Sequence, residues 1–447
     1  MCRPRFLAAW LAAALVPAVA ARAAGPAPVF PYPTRTTTLD NGLAVVSVAF
    51  DAPGIVTYGT LVRVGSRNEV EPDEAGAAHA LAHLYLQGTE RRDKAALRGL
   101  GAAQCAGFDD DSTYSSVTIP SSGLATLVEL EAGRLRNIPC DEGAVRAVAD
   151  TLRREFERNR GAPATGLDEA LRRAAYTTHT YRRPVLGTAA GADAMPGRAA
   201  ALRSFRDRWY RPENCVVVAA GAVDHDALVA LVRKAYGGWT RGGPPQAVPI
   251  EPRQDGPRSA VLAWPRPAPA ALAIGFHIPA GNPADPDADA AALSVLGEAI
   301  FGVTSPLYTA LVLDEQKVVE FTAGAWSTRD PGLFTVVAQL RASVDLADVR
   351  ARIESALVQA GSESISPWRL AAIKDHLRYE FLGSLDGPEG LARAVARSLA
   401  RTGRPDSWKD WFSALATLTP DNLQRVAARH FTTANRTVVT LAPEVAR

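Results

Sequence analysis

The sequence predicts an α+β protein of two similar domains, each a mixed or antiparallel sheet packed with helices. Strand-like runs alternate with helical periodicities, and the first two runs flank the turn-forming Asp40-Asn41-Gly42. After a Gly/Pro-rich stretch at 242–256 the order begins again. A chain of 447 residues also exceeds the length at which single cores stop growing. We expect domains over 34–240 and 258–445, joined by a linker over 241–257.

The first 24 residues differ from the rest of the chain. Arg3 and Arg5 precede an apolar run, Phe6–Val19, and small residues suited to cleavage follow it. A membrane anchor is the alternative interpretation, but the run is shorter than the roughly 20 residues that span a bilayer. We therefore expect a signal peptide over 1–24, export to the periplasm or the medium, and no membrane span in the mature chain.

Composition excludes some classes of partner. Charged residues make up 21% of the chain, and loss of Arg3 and Arg5 with the signal, with or without Arg22, lowers the net charge from +2 to −1 or 0. Such a balance favours neither nucleic acid nor an anionic membrane surface as a partner. Cys105, Cys140 and Cys215 would remain, with room for one disulfide and without metal-binding spacing.

The remaining elements follow from β-branched runs and from apolar residues at helical spacing. In the first half, these patterns predict strands at Thr57–Val64, Ser115–Ile119 and Cys215–Gly221, and helices at Glu74–Leu86, Leu124–Leu135, Glu142–Arg158, Leu167–Ala175 and Ala199–Trp209. In the second half, they predict strands at Ala260–Ala263, Ala271–His277 and Leu333–Leu340, and helices at Asp289–Ile300 and Pro306–Leu313.

Two histidines carry the chemistry of the predicted helix Glu74–Leu86. His79 and His83 are four residues apart and share one helix face, so both imidazoles can reach one metal ion. Helical zinc sites are built in this way, with a third protein ligand from elsewhere in the chain. Two ordinary helix histidines have the same spacing, so the pair alone leaves both interpretations open.

The surrounding residues resemble a known family. Ala78-His79, His83, Gly88-Thr89 and Arg92 match, without a gap, the inverted His-x-x-Glu-His motif region of the pitrilysin/insulinase zinc peptidases. Counting on from the similar helix Glu129–Asn137 places Glu155 at the family's metal-binding glutamate. Further similar segments follow in the family's order: Ala175–Gly187, Phe205–Asn214, Thr304–Leu311 and Asp330–Phe334.

The resemblance implies a mitochondrial-processing-peptidase-like pair of domains that enclose a cavity. It implies one zinc ion held by His79, His83 and Glu155, with water as the fourth ligand. In active members, a glutamate between the two histidines is the general base that takes the proton of that water. Here Ala82 occupies the position, and a methyl group accepts no proton. We therefore expect the metal ligands without a catalytic residue.

Other departures from the family pattern concern groups around the site. Active two-domain assemblies complete it with an arginine and a tyrosine, and register places Val312 and Val319 at those positions. Cys105 and Phe108 stand where the family commonly has asparagine and threonine, and His179 is interpreted as a structural polar residue. The candidate substitute bases are Glu74, Asp109, Asp110, Asp111 and Glu157.

Three hypotheses follow. The favoured one is a zinc-binding, catalytically impaired or non-catalytic subunit that binds peptide or unfolded polypeptide and pairs with a homologous subunit carrying the complementary catalytic residues. The alternative is an active zinc endopeptidase with an unorthodox base. The second alternative is a purely structural homologue without metal. Ala82 argues against the enzyme, and the three ligands argue against the purely structural protein.

Overall fold

The computed structural model describes residues 29–87, 91–159, 161–243, 246–264, 268–281, 289–341 and 344–443. The predicted signal peptide and the Gly88-Thr89 pair lie outside these residues. Strands in the described part of the chain form two sheets, and helices flank both. The α+β prediction is confirmed.

The first sheet contains six strands: β1 (Thr34–Thr38), β2 (Ala44–Ala49), β3 (Ile55–Val62), β4 (Ala103–Phe108), β5 (Thr113–Pro120) and β6 (Cys215–Gly221). Their order is β1-β2-β6-β3-β5-β4. Only β2 and β6 pair in parallel; the other neighbours are antiparallel. β1 and β2 form the predicted hairpin, where Gly42 has a φ of +90°, a conformation that glycine adopts without steric cost.

The second sheet contains five strands: β7 (Arg258–Trp264), β8 (Ala271–Ile278), β9 (Val318–Ala325), β10 (Gly332–Leu340) and β11 (Arg436–Pro443). Their order is β7-β11-β8-β10-β9, and only β7 and β11 pair in parallel. The run β2-β6-β3-β5-β4 of the first sheet has the same order and the same strand directions, position by position. The two halves therefore share a topology, and β4 and β9 are equivalent edge strands.

Fifteen α-helices accompany the sheets in the described residues. The first half has α1 (Ala77–Gln87), α2 (Arg91–Gly99), α3 (Leu124–Arg136), α4 (Glu142–Asn159), α5 (Pro163–Ala175), α6 (Ala189–Ala194), α7 (Ala199–Trp209) and α8 (His225–Tyr236). The second half has α9 (Ala290–Phe301), α10 (Pro306–Tyr308) with a π-helical continuation at Thr309–Asp314, α11 (Leu346–Gln359), α12 (Pro367–Gly383), α13 (Pro388–Thr402), α14 (Trp408–Thr417) and α15 (Pro420–His430).

Helix α13 belongs to the second half of the chain but packs on the first sheet. It contacts β3, β5 and β6. Its residues Leu391, Val395 and Leu399 are buried in one cluster with Val46 and Val218 of the sheet. Full burial of an aliphatic side chain of this size contributes about 1.5–3 kcal/mol. This face of the first sheet is therefore covered only when the second half is present.

Helix α5 makes the reciprocal exchange. It precedes the predicted linker in sequence, yet it contacts β7, β8 and β11 of the second sheet. Leu167 and Leu171 are buried there with Ala273 and Val439, and the side chain of Leu171 lies directly against Gly275, where an added Cβ would lie 3.2 Å from Leu171 Cδ1. The two halves are thus interlocked, and the predicted boundaries at 240 and 258 divide the sequence without separating the two cores.

A charged network also joins the halves. Arg67 donates two hydrogen bonds to Asp330, from Nε at 2.6 Å and from Nη2 at 3.0 Å. His179 Nε2 lies 2.8 Å from the same carboxylate. His179 is therefore a structural polar residue that links the first half to the Asp330–Phe334 segment of the second.

A second set of contacts runs beside this network. Tyr181 donates to Asp111 Oδ1 at 2.7 Å, and the backbone N–H of Arg329 donates to Asp111 Oδ2 at 2.9 Å. Asp111 is buried, and burial raises its pKa to about 6. Two segments noted separately in the sequence, around His179 and around Asp330, therefore meet at the contact between the halves.

One helix corrects the expectation about membrane spans. The sequence predicted no membrane span in the mature chain, whereas the helical run Ala290–Asp314 meets a length and composition criterion for a span, with a mean hydropathy of 1.5. Half of its most apolar window is buried, and Leu293, Leu296 and Phe301 pack in the core of the second half. Its apolar residues contribute to that core.

Candidate metal centre

Helix α1 presents the two histidines, and a buried carboxylate fixes its start. Glu69 accepts hydrogen bonds from the backbone N–H groups of Gly76 and Ala78, both at 2.9 Å. The first N–H groups of a helix have no partner within it, so such a cap stabilises the helix start. Burial raises the pKa of Glu69 to about 8. Sequence reasoning missed Glu69, because it lies seven residues before Gly76 and matches no local capping pattern.

Helix α3 fixes the other end of α1. Tyr85 donates to Glu131 at 2.6 Å, and Arg134 pairs with Glu131 and donates to the carbonyl of Leu86 at 2.7 Å. Glu131 and Arg134 are both buried. Glu131 and Arg134 belong to the segment Glu129–Asn137, which resembles the family helix that precedes the third ligand. This segment therefore fixes the C-terminal turn of α1.

The structure brings His79, His83 and Glu155 together. Their ligand atoms form a triangle: Nε2 of His79, Nε2 of His83 and Oε2 of Glu155 lie 3.0 Å from one another in each of the three pairs. Glu155 comes from α4, which packs against α1. In the described part of the chain, this is the group of three potential ligands close enough to share one ion.

The residues present suit zinc. Nδ1 of His79 lies 3.1 Å from the carbonyl oxygen of Leu186, which only accepts, so the proton sits on Nδ1 and Nε2 keeps its lone pair. With bonds of about 2.0–2.2 Å, neighbouring ligand atoms of a tetrahedral zinc site are about 3.3–3.5 Å apart. That separation exceeds the observed 3.0 Å by a few tenths of an ångström, which side-chain adjustment supplies.

Electrostatics favour the protonation states that bind a metal. Burial, reinforced by the neighbouring His83, lowers the pKa of His79 and favours its neutral form. Burial acts to raise the pKa of Glu155, but the charges and hydrogen bonds of the two histidines outweigh it, so its pKa is lowered. A neutral imidazole and an ionised carboxylate are the forms that bind metal ions.

One side of the triangle is open. The side chain of His79 is 1% exposed, whereas those of His83 and Glu155 are 19% and 24% exposed. Phe108, at the end of the edge strand β4, stacks on the His79 imidazole with ring centroids 4.3 Å apart. Phe108, one of the positions at which the sequence departs from the family, therefore contacts the predicted ligand His79 directly. Access to the triangle is from the side of His83 and Glu155.

In the sequence between His79 and His83, no residue carries a carboxylate. Ala82 is buried in α1, and its methyl group has neither donor nor acceptor. Among the candidate substitutes, Glu74 is buried, pairs with Arg208 at 2.7 Å and accepts from the backbone N–H of Glu71 at 3.1 Å. Glu74 is therefore engaged in fixing the turn before α1.

The other candidates have roles or positions of their own. Asp110 pairs with Arg172 at 3.0 Å and accepts from Ser66, and Asp111 takes part in the contact between the halves. Asp109 accepts from the backbone N–H groups of residues 111 and 112 of its own turn, both at 2.8 Å. Glu157 is exposed and lies two residues from Glu155 on α4, about 200° around that helix.

The remaining departures lie at surfaces and strand edges. Val312 is partly buried against the second core, and Val319 is 50% exposed at the start of edge strand β9. Neither valine side chain can form a hydrogen bond. Cys105, Cys140 and Cys215 are all free thiols, so the disulfide that the sequence allowed does not form.

Comparison with known proteins identifies the family. The family model described as "Insulinase (Peptidase family M16)" matches residues 45–189, and the one described as "Peptidase M16 inactive domain" matches residues 198–377. The two matches cover more than half of the chain. The chain belongs to peptidase family M16. The resemblance to the pitrilysin/insulinase peptidases is thereby confirmed.

Several M16-type relatives align with the chain. An "uncharacterized zinc protease" of Mycobacterium tuberculosis is 36% identical over 207 residues, which cover 45% of this chain and 47% of that protein. The matched region is thus about half the length of the mycobacterial relatives. "Zinc protease PqqE" of Helicobacter pylori is 25% identical over 92% of this chain and 93% of its own. Human cytochrome b-c1 complex subunit 1 is 25% identical over 89% of this chain and 84% of its own length.

Solved structures share the M16 fold. A protease from Helicobacter pylori superimposes with a TM-score of 0.85 at 23% identity, covering 92% of this chain and all of that one. The periplasmic protease PqqL of Escherichia coli has a TM-score of 0.73 at 16% identity and covers 92% of this chain and 47% of its own. These likenesses establish the fold.

Proposed function

We propose that this chain is a zinc-binding M16 homologue with impaired or absent proteolytic activity, exported from the cytoplasm. It would bind peptide or unfolded polypeptide and pair with a homologous subunit that supplies the missing catalytic groups. A zinc ion held by His79, His83 and Glu155 would polarise a peptide carbonyl and acidify water. The chain's own residues bind and orient that ion but take no proton.

One observation carries the proposal. Three ligand atoms converge within 3.0 Å of one another, while the residue between the two histidines is Ala82. General-base assistance contributes about 10²- to 10⁴-fold to the rate of such reactions. A centre built in this way therefore retains metal affinity and loses most of its turnover.

An active endopeptidase with another base is the competing function. Asp109 is the residue to test, because it follows Phe108, whose ring stacks on His79. Its carboxylate is engaged in the backbone of its own turn, which disfavours proton transfer. If the protein is active with Asp109 as its base, Asp109→Asn should abolish hydrolysis; if it is inactive, the substitution should change nothing.

Pairing and export are supported by relatives. Cytochrome b-c1 complex subunit 1 and a mitochondrial-processing peptidase subunit beta of Arabidopsis thaliana, 25% identical over 412 residues, are named as subunits of larger assemblies. The structural neighbour from Escherichia coli is described as a periplasmic protease. A homologous subunit carrying an arginine and a tyrosine in place of Val312 and Val319 would offset the losses in the second half.

Two measurements on purified mature protein test this proposal. Zinc content should approach one ion per chain, and hydrolysis of an unstructured peptide should be very slow or undetectable for the chain alone. Rapid hydrolysis would reject the proposed impairment, and absence of zinc at micromolar metal would favour the purely structural alternative.

N-terminal sequencing of protein from the cell envelope should show cleavage between Ala20 and Gly25, whereas an intact Met1 on cytoplasmic protein would reject export.

A further inference from the structure

A cavity with a chemistry unlike that of the metal centre lies beside the segment that follows His179. Its volume is about 310 Å³, and it lies outside the metal-ligand triangle. We call it the arginine pocket. Its walls include three arginines and three threonines: Arg173, Arg182, Arg183, Thr178, Thr180 and Thr188. Among the described residues that line it, none is an aspartate or a glutamate.

The three guanidinium groups lack close carboxylate partners. Arg182 donates to the carbonyl of Thr177 at 3.3 Å, and Arg183 donates to the backbone carbonyls of residues 69, 70 and 71. In the described part of the chain, no ion pair within 4 Å engages Arg173, Arg182 or Arg183. The pocket therefore carries positive charge without the direct neutralisation of an ion pair.

A neighbouring arginine shows the contrast. Buried Arg172, on the same helix as Arg173, pairs with both Asp110 and Asp168. Burial raises the pKa of Glu169, one turn before Arg173, and the charge of Arg173 offsets only part of that rise; the two groups form no ion pair within 4 Å. One carboxylate at a distance offsets only part of three positive charges.

The other nearby carboxylates are already engaged. Glu251 of the linker contacts Thr178, but it accepts from the backbone N–H groups of residues 177, 178 and 179 at 2.8–2.9 Å, and its pKa is lowered to about 2. Glu71 accepts from Gln246 at 2.9 Å. Neither acid is free to turn into the pocket and neutralise the arginines.

We infer that the arginine pocket binds a phosphate group, either as free phosphate or as the phosphate of a small ester. A phosphate carries close to two negative charges near neutral pH and three strong acceptor oxygens. Guanidinium forks match those oxygens in pairs. Thr188, whose hydroxyl accepts from the backbone N–H of Gly191, can donate to a further oxygen, whereas the hydroxyls of Thr178 and Thr180 already donate to the carbonyls of Ile250 and Arg67. The volume also accommodates the carbon portion of a small phosphate ester. This inference does not depend on whether zinc is bound.

The pocket is placed where an anion would brace the metal helix. Arg183 already holds the carbonyls around Glu69, which caps α1, and Leu186, which orients His79, follows three residues later. Pro249 of the linker forms another wall. A bound phosphate would join the linker, the 178–184 segment and the approach to α1, so we expect it to raise the midpoint of thermal unfolding.

Calorimetric titration of the full mature chain with inorganic phosphate and with O-phosphoserine tests the inference. We expect saturable binding of at least one of them in the micromolar to low-millimolar range. Binding of both at similar affinity points to free phosphate, and binding of the ester alone points to a phosphorylated ligand. The double variant Arg173→Gln/Arg182→Gln should weaken binding at least 10-fold, because both arginines lack structural ion pairs.

Two controls separate this pocket from other sites. The double variant Arg98→Gln/Arg233→Gln removes the same charge from exposed positions elsewhere and should leave phosphate affinity unchanged. His83→Ala should also leave it unchanged, which excludes phosphate bound to zinc. No saturable binding of either probe up to about 20 mM, or equal weakening in both double variants, would overturn the inference.

Discussion

At the scale of single residues, the account depends on three side chains and one methyl group. His83→Ala removes a ligand atom and leaves two, so zinc affinity should fall by at least about 100-fold, as for a site deprived of one protein ligand. Ala82→Gly should leave it unchanged, because position 82 is not a ligand. Equilibrium dialysis against zinc measures both. His376→Ala, an exposed histidine on α12, is the matched control, and equal loss there would reject the assignment.

The sequence predicted this group of three residues partly from helix geometry and partly from the resemblance to the family. His79 and His83 follow from helical geometry, and Glu155 follows from ungapped register within the family. The partners that orient them could not be predicted. The carbonyl of Leu186 and the carboxylate of Glu69 reach α1 from 107 and 7 residues away, respectively, and the stacking of Phe108 on His79 depends on how the end of β4 packs.

At the scale of elements, the contact between the halves has its own prediction. Asp330→Asn should lower the free energy of unfolding by about 2–4 kcal/mol, because Arg67 and His179 lose a charged partner in a partly buried network. Chemical denaturation at pH 7 measures the change. Asp375→Asn, at an exposed position on α12, is the control and should change stability by less than about 0.5 kcal/mol.

The pH dependence of that variant has a definite sign. Burial acts to raise the pKa of Asp330, but hydrogen bonds from His179 and Arg67 outweigh it and hold the pKa well below its usual range. A carboxyl group whose pKa is lower in the folded state stabilises the fold fully at pH values above its unfolded-state pKa of about 3.9. That contribution is lost as the pH falls through the folded-state pKa. The difference between wild type and Asp330→Asn should therefore be constant from about pH 5 to 8 and shrink only below about pH 4.

Several elements were predictable and others were not. The hairpin around Gly42 and the helix carrying His79 have strong local signals, and the structure places both within a few residues of the predicted bounds. Edge strand β4, Ala103–Phe108, was missed because its sequence, Ala-Gln-Cys-Ala-Gly-Phe, lacks β-branched residues. Pairing with β5 supplies the stability that its own propensity does not.

At the scale of the whole molecule, the exchange of α5 and α13 makes the halves dependent on each other. Periodicity identified α5 as a helix but could not assign it to the second sheet, because that contact is long-range. We expect a fragment of residues 29–243 to aggregate or to unfold without cooperativity, since the face of its sheet that α13 covers would be exposed. Co-expression with residues 246–443 should restore a soluble complex, observed by size-exclusion chromatography.

The control for this prediction is a full chain cut between its halves. After cleavage at a protease site inserted at 244–245, the two fragments should stay associated, because α5 and α13 remain packed on the sheets of the opposite halves. A fragment of residues 29–243 that unfolds cooperatively at the midpoint of the intact chain would show that the first half is an independent domain.

The most direct test of the central claim is the rate of peptide hydrolysis by zinc-loaded wild-type protein and Ala82→Glu, compared under identical conditions. A restored general base should raise the rate by about 10²- to 10⁴-fold, equivalent to about 3–5 kcal/mol of transition-state stabilisation. Ala82→Gln, which has nearly the same size but accepts no proton, should remain as slow as wild type. Rapid hydrolysis by the wild-type chain, lost with a chelator and lost again in His79→Ala, would contradict the account.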